Sequence, residues 1–261
     1  MKKTLYLLAA CLATTSLQAA DITSPFYLPE KGSVLSTTEV GYDRVHIKNA
    51  FGKLKNREKA LQQELTYGLS DKAALLLSVG NGWDKIKTVL PDGNTTQRSE
   101  PTNIRWSAGA RYGLIQGDNL NAVMDLKFLQ RETHYQKGAY KAFNGDARIG
   151  YDFKNFFLPY VGGKVELPIA QSKYFDNDMK YGVYAGIYRN FCYNVSADVR
   201  LGYDYEKWHS RKEWSSDAHL SYFLSRSTSI GLRWKQVLNE KAAKKTKIYE
   251  YNYGADLKIE F

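Results

Sequence analysis

The sequence lacks the features of a helical membrane protein and of a disulfide-bonded secreted domain. After the first twenty residues no apolar run approaches the length of about 20 residues that a transmembrane helix needs, and the mean hydropathy is −0.49. Proline is scarce, with six residues in 261, and cysteine is scarcer, with two. These absences exclude helical membrane spans and a disulfide framework. They leave room for membrane-spanning strands whose apolar residues alternate with polar ones.

The N-terminus has the pattern of a cleaved secretory signal peptide. Lys2 and Lys3 form a short positive region, residues 5–13 are apolar, and small residues precede a cleavage point near Ala19 or Ala20. We therefore expect residues 1–20 to be removed after Sec-type export. An alternative is a lipoprotein in which Cys11 is lipidated, although the apolar stretch before that cysteine is short.

Cleavage changes both the cysteine count and the charge. It leaves Cys192 as the only cysteine, so no internal disulfide can form. It also removes Lys2 and Lys3 from 37 basic residues, which leaves 35 against 27 acidic ones, a net charge of about +8. The segment 21–32, which contains Pro25 and Pro29, is expected to be a periplasmic lead-in that caps or enters the folded part, residues 33–261.

The clearest strand ends the chain. One set of alternate residues is apolar or aromatic: Tyr251, Tyr253, Ala255, Leu257, Ile259 and Phe261. The other set is polar or small: Asn252, Gly254, Asp256, Lys258 and Glu260. Because side chains alternate faces along a strand, this segment is apolar on one side and polar on the other.

A chain that ends on such a strand with a terminal phenylalanine resembles the bacterial outer-membrane β-barrels. The resemblance implies that Tyr251, Tyr253, Leu257, Ile259 and Phe261 act as a membrane-insertion signal read by the barrel-assembly machinery. It also implies an outer-membrane location in a Gram-negative bacterium, in contact with membrane lipid and lipopolysaccharide. Twelve-stranded members of this superfamily include channels for nucleosides and for acidic oligosaccharides.

The two-residue period recurs upstream and predicts an all-β, closed antiparallel up-and-down transmembrane barrel of about twelve strands, with ten as the alternative. Tight turns are predicted near Ser70-Asp71, Gln116–Asn119, Lys154-Asn155, Arg189-Asn190 and Ser225–Thr228. Long polar external loops are predicted at about 48–57, 85–103, 131–140, 168–178, 206–213 and 238–247.

Aromatic residues are expected to form two belts at the membrane interfaces. The tryptophans lie near the predicted external ends: Trp83, Trp106, Trp208, Trp214 and Trp234. Other rings lie near the predicted short turns: Tyr67, Tyr112, Phe153, Phe156, Tyr188, Tyr193 and Tyr222.

The opposite parity predicts a charged inner wall. The lumen-lining candidates are Glu64, Arg105, Arg111, Asp125, Lys127, Asp146, Arg148, Asp198, Arg200, Asp217, His219, Arg233 and Lys235. Because buried charges must pair or be hydrated, two interpretations stay open. The charges line a narrow water-filled pore for small hydrophilic, possibly anionic, solutes, with Arg148 and Arg200 setting selectivity, or they pair across the lumen of a sealed barrel that binds through its external loops.

The basic external loops also allow two interpretations. Lys48, Lys53, Lys55 and Arg57 of the first loop either meet lipopolysaccharide phosphates or form an electrostatic funnel for anions. No nucleic-acid motif is present.

An outer-membrane lipid hydrolase is a further alternative. His134 and His209, the latter followed by Ser210, are the histidines that such an activity would use, yet no nucleophile, base and orienting residue form a recognisable set. We therefore predict no catalytic residue, no metal and no cofactor.

Overall fold

The described residues form twelve antiparallel strands. A computed structural model describes residues 21–49, 52–133, 139–154, 157–169, 179–192, 194–206, 211–242 and 246–261. The strands are β1 (Val34–Asn49), β2 (Gly52–Ser70), β3 (Ala73–Val89), β4 (Thr95–Gln116), β5 (Leu120–Thr133), β6 (Ala139–Tyr151), β7 (Leu158–Pro168), β8 (Lys180–Cys192), β9 (Val195–Glu206), β10 (Arg211–Ser225), β11 (Thr228–Ala242) and β12 (Thr246–Glu260).

Each strand pairs with its neighbours in sequence, and β1 pairs with β12, so the sheet closes into a barrel. At the seam Val34 N donates to Phe261 O at 3.1 Å, and Phe261 N donates to Val34 O at 3.0 Å. The prediction of a closed up-and-down barrel with twelve strands is confirmed. Within the described residues no helix is long and apolar enough to cross a membrane. The expected signal peptide lies outside the described residues.

The strand termini define the two ends of the barrel. We call the end at which β1 begins and β12 stops the turn end and the opposite one the loop end; at the turn end β2 and β3, β4 and β5, and β10 and β11 are joined by only two or three residues. The turn predicted at Arg189-Asn190 is strand, because β8 continues through an irregularity between Asn190 and Cys192 and β9 begins at Val195.

Three predicted loops are mostly strand. The segments 48–57 and 85–103 mostly extend β1 to β4, and 238–247 mostly extends β11 and β12. The ladders continue to Asn49–Gly52, to Val89–Thr95 and to Ala242–Thr246. The remaining turn of the second hairpin carries Gly93 at a φ of 85°. The sequence prediction ended these strands where apolar residues gave way to charged ones. Hydrogen bonds between strands join backbone groups, however, so a strand that faces water can continue with charged side chains.

The outer wall is apolar around the barrel. Leu201 and Leu232 are 61% and 65% exposed, and similarly exposed apolar side chains occur on the other strands. A water-soluble protein rarely exposes such a continuous apolar surface. Trp83, Trp106, Trp214 and Trp234 lie on this wall, whereas Trp208, Phe156 and Tyr193 lie outside the described residues.

Candidate functional site in the lumen

The inner wall carries all of the lumen-lining candidates that the sequence predicts. The residues next to these candidates in the sequence are exposed and apolar, as with Leu126 beside Asp125 and Val199 beside Arg200. The alternation therefore directs these charged side chains toward the interior.

One group of charges lies on β4 to β6. Arg111 donates to both carboxylate oxygens of Asp125, from Nε at 2.7 Å and from a terminal nitrogen at 2.8 Å. Arg148 contacts Asp125 at 3.4 Å and Asp146 at 2.7 Å. Both arginines are largely buried, with 17% and 11% of the side chain exposed. Each carboxylate thus has a guanidinium partner, as buried charges require.

A second group lies on β8 to β11. Arg200 and Arg233 both donate to Asp217, at 2.7 Å and 2.5 Å, and each keeps 34% of its side chain exposed. The Arg200 guanidinium also lies over the Tyr184 ring at 5.1 Å. Two arginines therefore share one hydrogen-bonded carboxylate, with Glu39 and Asp198 as further acidic neighbours of Arg233, and each guanidinium keeps part of its surface exposed to the lumen.

The remaining candidates pair separately. Lys127 contacts Glu64 at 3.0 Å, and Arg105 contacts Glu58 at 2.5 Å. The Tyr160 hydroxyl donates to Asp198 at 2.6 Å, and His219 Nε2 lies 2.6 Å from Asp256. Lys235 lies on the same inner wall at the register of Asp217 and Asn252.

The N-terminal segment crosses the bore at the turn end. We call residues 21–33 the inner segment. Thr23 hydrogen-bonds Tyr188 of β8 and Ser196 of β9, both at 2.8 Å. Phe26 packs edge-on against Tyr160 of β7 at 5.9 Å. The next residue, Tyr27, donates to Glu260 of β12, five strands around the barrel from β7, so the segment contacts widely separated parts of the wall.

Two lumen arginines hold the backbone of this segment. Arg148 Nε donates to the Pro25 carbonyl at 2.7 Å, and a terminal nitrogen of Arg111 donates to the Tyr27 carbonyl at 3.0 Å. The burial of Tyr27 and its hydrogen bond to Glu260 raise the pKa of the Tyr27 hydroxyl well above its ordinary value. The hydroxyl therefore remains a donor at neutral pH.

Inner-face glycines make room for the segment. A side chain at Gly68 would collide with the backbone carbonyls of Pro29 and Glu30. One at Gly150 would lie 2.8 Å from the Phe26 ring, and one at Gly113 would lie 2.9 Å from Leu28. The approach of the backbone carbonyls requires glycine at Gly68, and the Phe26 ring leaves little room at Gly150. At Gly113 the nearest atoms are the ends of the Gln116 and Leu28 side chains, which can move.

The sequence named the lumen charges and allowed the lead-in to cap or enter the barrel, but it did not identify the residues that hold the inner segment. It assigned Tyr188 to the outer aromatic belt, and that assignment is wrong: Ile187 is outside, whereas Tyr188 is 5% exposed and bonds Asp21 and Thr23. The assignment used the distance of Tyr188 from the turn and not the alternation of β8, which places Tyr188 on the inner face with Tyr184. A signal for the inner segment was present, because Ile22, Phe26 and Leu28 are unusually apolar for a solvated lead-in.

The histidines give no catalytic arrangement in the described part of the chain. His219 Nε2 contacts both Asp256, at 2.6 Å, and Ser221, at 3.5 Å. A serine nucleophile and an orienting carboxylate need different ring nitrogens, so these three residues do not form a triad. His134, His209 and Ser210 lie outside the described residues, and the described part contains no cluster of metal-ligating side chains.

Comparison with known proteins supports the fold and no single family. No family model matches the chain, and no curated protein matches it in sequence. Among solved structures, the COG4313 outer membrane channel from Pseudomonas putida F1 superposes with a TM-score of 0.64 at 10% identity, covering 90% of this chain and 98% of that one.

Two further structures agree. The translocator domain of the autotransporter NalP from Neisseria meningitidis gives 0.55 at 8% identity, with 98% and 94% of the two chains covered. The NanC porin gives 0.53 at 6% identity, with 84% and 98% covered. The chain therefore has the fold of the bacterial outer-membrane β-barrels, a group that includes porins and channels.

Proposed function

We propose that the protein is an outer-membrane channel for the passive diffusion of small hydrophilic solutes. The observation that carries the proposal is a closed barrel with an apolar outer wall and a charged inner wall. A sheet with these two faces suits a lipid environment outside and water inside. The short turns and both strand termini then lie on the periplasmic side, and the loop end lies outside the cell.

The solute path is narrowest at the inner segment. Its contacts on β7 to β9 and on β12 carry it across the periplasmic mouth. A solute that leaves the lumen must pass beside these residues or displace them. This favours a channel of small conductance over a wide porin.

The preference for anions rests on Arg200 and Arg233. These arginines share Asp217 and keep exposed surface, whereas Arg148 is occupied by two aspartates and the Pro25 carbonyl. Lys53, Lys55 and Arg57 of the first predicted loop give no support, because they share the parity of the exposed Leu61 and Leu65 and so face outward. We therefore expect selectivity to depend on Arg200 and Arg233, rather than on the pair Arg148 and Arg200 that the sequence suggested.

Single-channel recording tests the proposal. The mature chain, beginning at Asp21, is refolded and inserted into a planar bilayer under a salt gradient. Steady small openings with a reversal potential of the anion-selective sign are expected, and the double variant R200Q/R233Q should shift that potential toward zero. K141Q/K212Q, which removes two outward-facing lysines, is the matched control. Openings with an unchanged potential in R200Q/R233Q would refute the role of these arginines.

A sealed barrel is the second candidate. The paired charges and the inner segment are the observations that favour it, since both reduce free space in the lumen. This candidate predicts a folded protein that conducts neither with the inner segment nor without it.

A further inference from the structure

The outer surface of β1 to β3 carries a dense set of basic side chains. The pairing of β1 to β3 fixes which way the residues of the first predicted loop point. Leu61, Leu65 and Leu77 are exposed on the outer wall, so residues of the same parity that lie nearer the loop end also face outward. We call the following outward set the basic face: Arg44 and His46 of β1, Lys53, Lys55, Arg57 and Lys59 of β2, and Lys85 and Lys87 of β3.

These side chains form adjacent rungs of like charge. Arg57 is directly opposite Arg44 on one side and Lys85 on the other, and Lys55 is opposite Lys87. The other neighbour of Lys55 is His46, whose Nε2 accepts a hydrogen bond from Arg44 Nε at 2.9 Å and is therefore a neutral imidazole. Like charges opposite each other on a sheet are destabilising. Among the described side chains, the neighbouring strands place Tyr251 beside Arg44 and Ser99 beside Lys85, and neither carries a charge, so an anionic ligand would relieve the repulsion between these rungs.

Nearby carboxylates face the other way. Asp43, Glu58 and Asp84 occupy the next rung, on the inner face. None of the ion pairs found among the described residues includes a lysine or arginine of the basic face. Lys53, Arg57, Lys59, Lys85 and Lys87 are exposed.

The basic face begins where the apolar wall ends. Lys59 shares a rung with Tyr42 and with Trp83, which is 49% exposed, and one rung closer to the turn end lie Val40 and Leu61. Tyrosine and tryptophan prefer the membrane interface. In the orientation proposed above, the basic rungs thus lie at the level of the headgroups of the outer leaflet. Successive rungs are two residues apart, about 7 Å.

We propose that the basic face is a binding site for the phosphorylated sugar headgroup of an outer-leaflet glycolipid. The acyl chains would lie against Val40, Leu61 and Leu77, and the phosphates would take hydrogen bonds from the lysines and arginines above them. Arginine and lysine are the side chains that recognise phosphate. This inference rests on the proposed membrane location but not on conduction, so it survives if the barrel is sealed.

The test measures retention of a defined glycolipid. Mature protein in detergent micelles is titrated with bisphosphorylated lipid A, and bound lipid is counted by native mass spectrometry. The double variant K55Q/R57Q is compared with K141Q/K212Q, which removes the same charge from exposed outward positions on β6 and β10. Each basic residue near an anionic surface contributes roughly fivefold to affinity, so K55Q/R57Q should lose at least about tenfold while the control loses little.

Two further protein variants and a dephosphorylated lipid complete the test. Replacing the five exposed basic residues, Lys53, Arg57, Lys59, Lys85 and Lys87, by glutamine should abolish retention. K53R/K59R/K85R/K87R, which changes the four lysines among them and preserves charge, should retain the lipid with wild-type heat-modifiable mobility. Dephosphorylated lipid A should bind weakly to every variant. Equal affinity of K55Q/R57Q and K141Q/K212Q, or binding that ignores the phosphates of the probe, would overturn the proposal.

Discussion

Removal of the inner segment should open the periplasmic mouth of the barrel. The prediction concerns a mature chain that begins at Glu30. This truncation deletes the contacts of Thr23, Phe26 and Tyr27 with the wall. It keeps the pairing of Gly32 with Gly68 and the seam between Val34 and Phe261. The strands and their register are untouched, so the barrel should still assemble.

The size of the opening follows from barrel geometry. Strands spaced about 4.8 Å apart and tilted about 40° give a backbone diameter of about 24 Å for twelve strands and about 16 Å for eight. An eight-stranded barrel is just filled by its side chains, so the difference, about 8 Å, is the bore that twelve strands leave. One polypeptide segment is wide enough to occupy such a bore, because neighbouring strands are themselves about 5 Å apart.

Single-channel conductance and solute entry into proteoliposomes measure the effect. The truncated chain should conduct several-fold more than the full mature chain and admit larger uncharged solutes. A chain in which residues 21–29 are replaced by glycine and serine at equal length is the matched control. It keeps the polypeptide but loses the side-chain anchors, so we expect intermediate, noisy conductance.

Equal conductance of all three chains would refute the reasoning, because the inner segment would then not lie on the path. Silence of all three, with folded barrels, would favour the sealed barrel instead.

Three further outcomes are expected. Arg148→Met should lower the free energy of unfolding by about 3 kcal/mol in a urea titration, the lower end for breaking a buried ion pair, because Asp125 keeps Arg111; a change below about 1 kcal/mol would contradict the role of the network. Gly68→Val should raise conductance toward that of the truncated chain, since its side chain collides with the Pro29 and Glu30 carbonyls; wild-type conductance would mean that the segment tolerates displacement. Deletion of Phe261 should reduce the amount of folded barrel in the membrane fraction of an expressing Gram-negative cell. An unchanged amount would contradict the role of Phe261 in the insertion signal.

The strand count was predictable because one constraint acts along the whole chain. A strand between lipid and water must alternate, and a one-residue slip would reverse every side chain. The pairing of Arg111 with Asp125 needed the structure, because the irregularity between Gly113 and Ile115 shifts the register of β4 against β5 by one residue. Counting from the pair nearest the turn, Gln116 with Asn121, would instead have placed Arg111 opposite Leu126.

The strand extensions and the inner segment were not predictable in this way. Above the lipid both faces of β1 to β4 meet polar surroundings, so hydropathy carries no signal there even though the ladder continues. The inner segment has no period because it is held by side-chain contacts and two arginine–carbonyl bonds, which depend on the closed barrel. The inner position of Tyr188 follows from the alternation of β8, which the aromatic-belt assignment did not apply to this strand.

The two arginine groups divide the lumen into unlike sides. On β4 to β6, Arg111 and Arg148 are buried, saturated by aspartates and committed to the carbonyls of the inner segment. On β9 to β11, Arg200 and Arg233 share one aspartate and keep a third of their surface free. We infer that the first side anchors the segment and the second contacts the solute. Substitution of Arg148 should therefore lower the free energy of unfolding of the barrel and increase the fluctuation of the single-channel current. Substitution of Arg233 should instead shift the reversal potential under a salt gradient. Measuring both quantities for each variant separates the two roles.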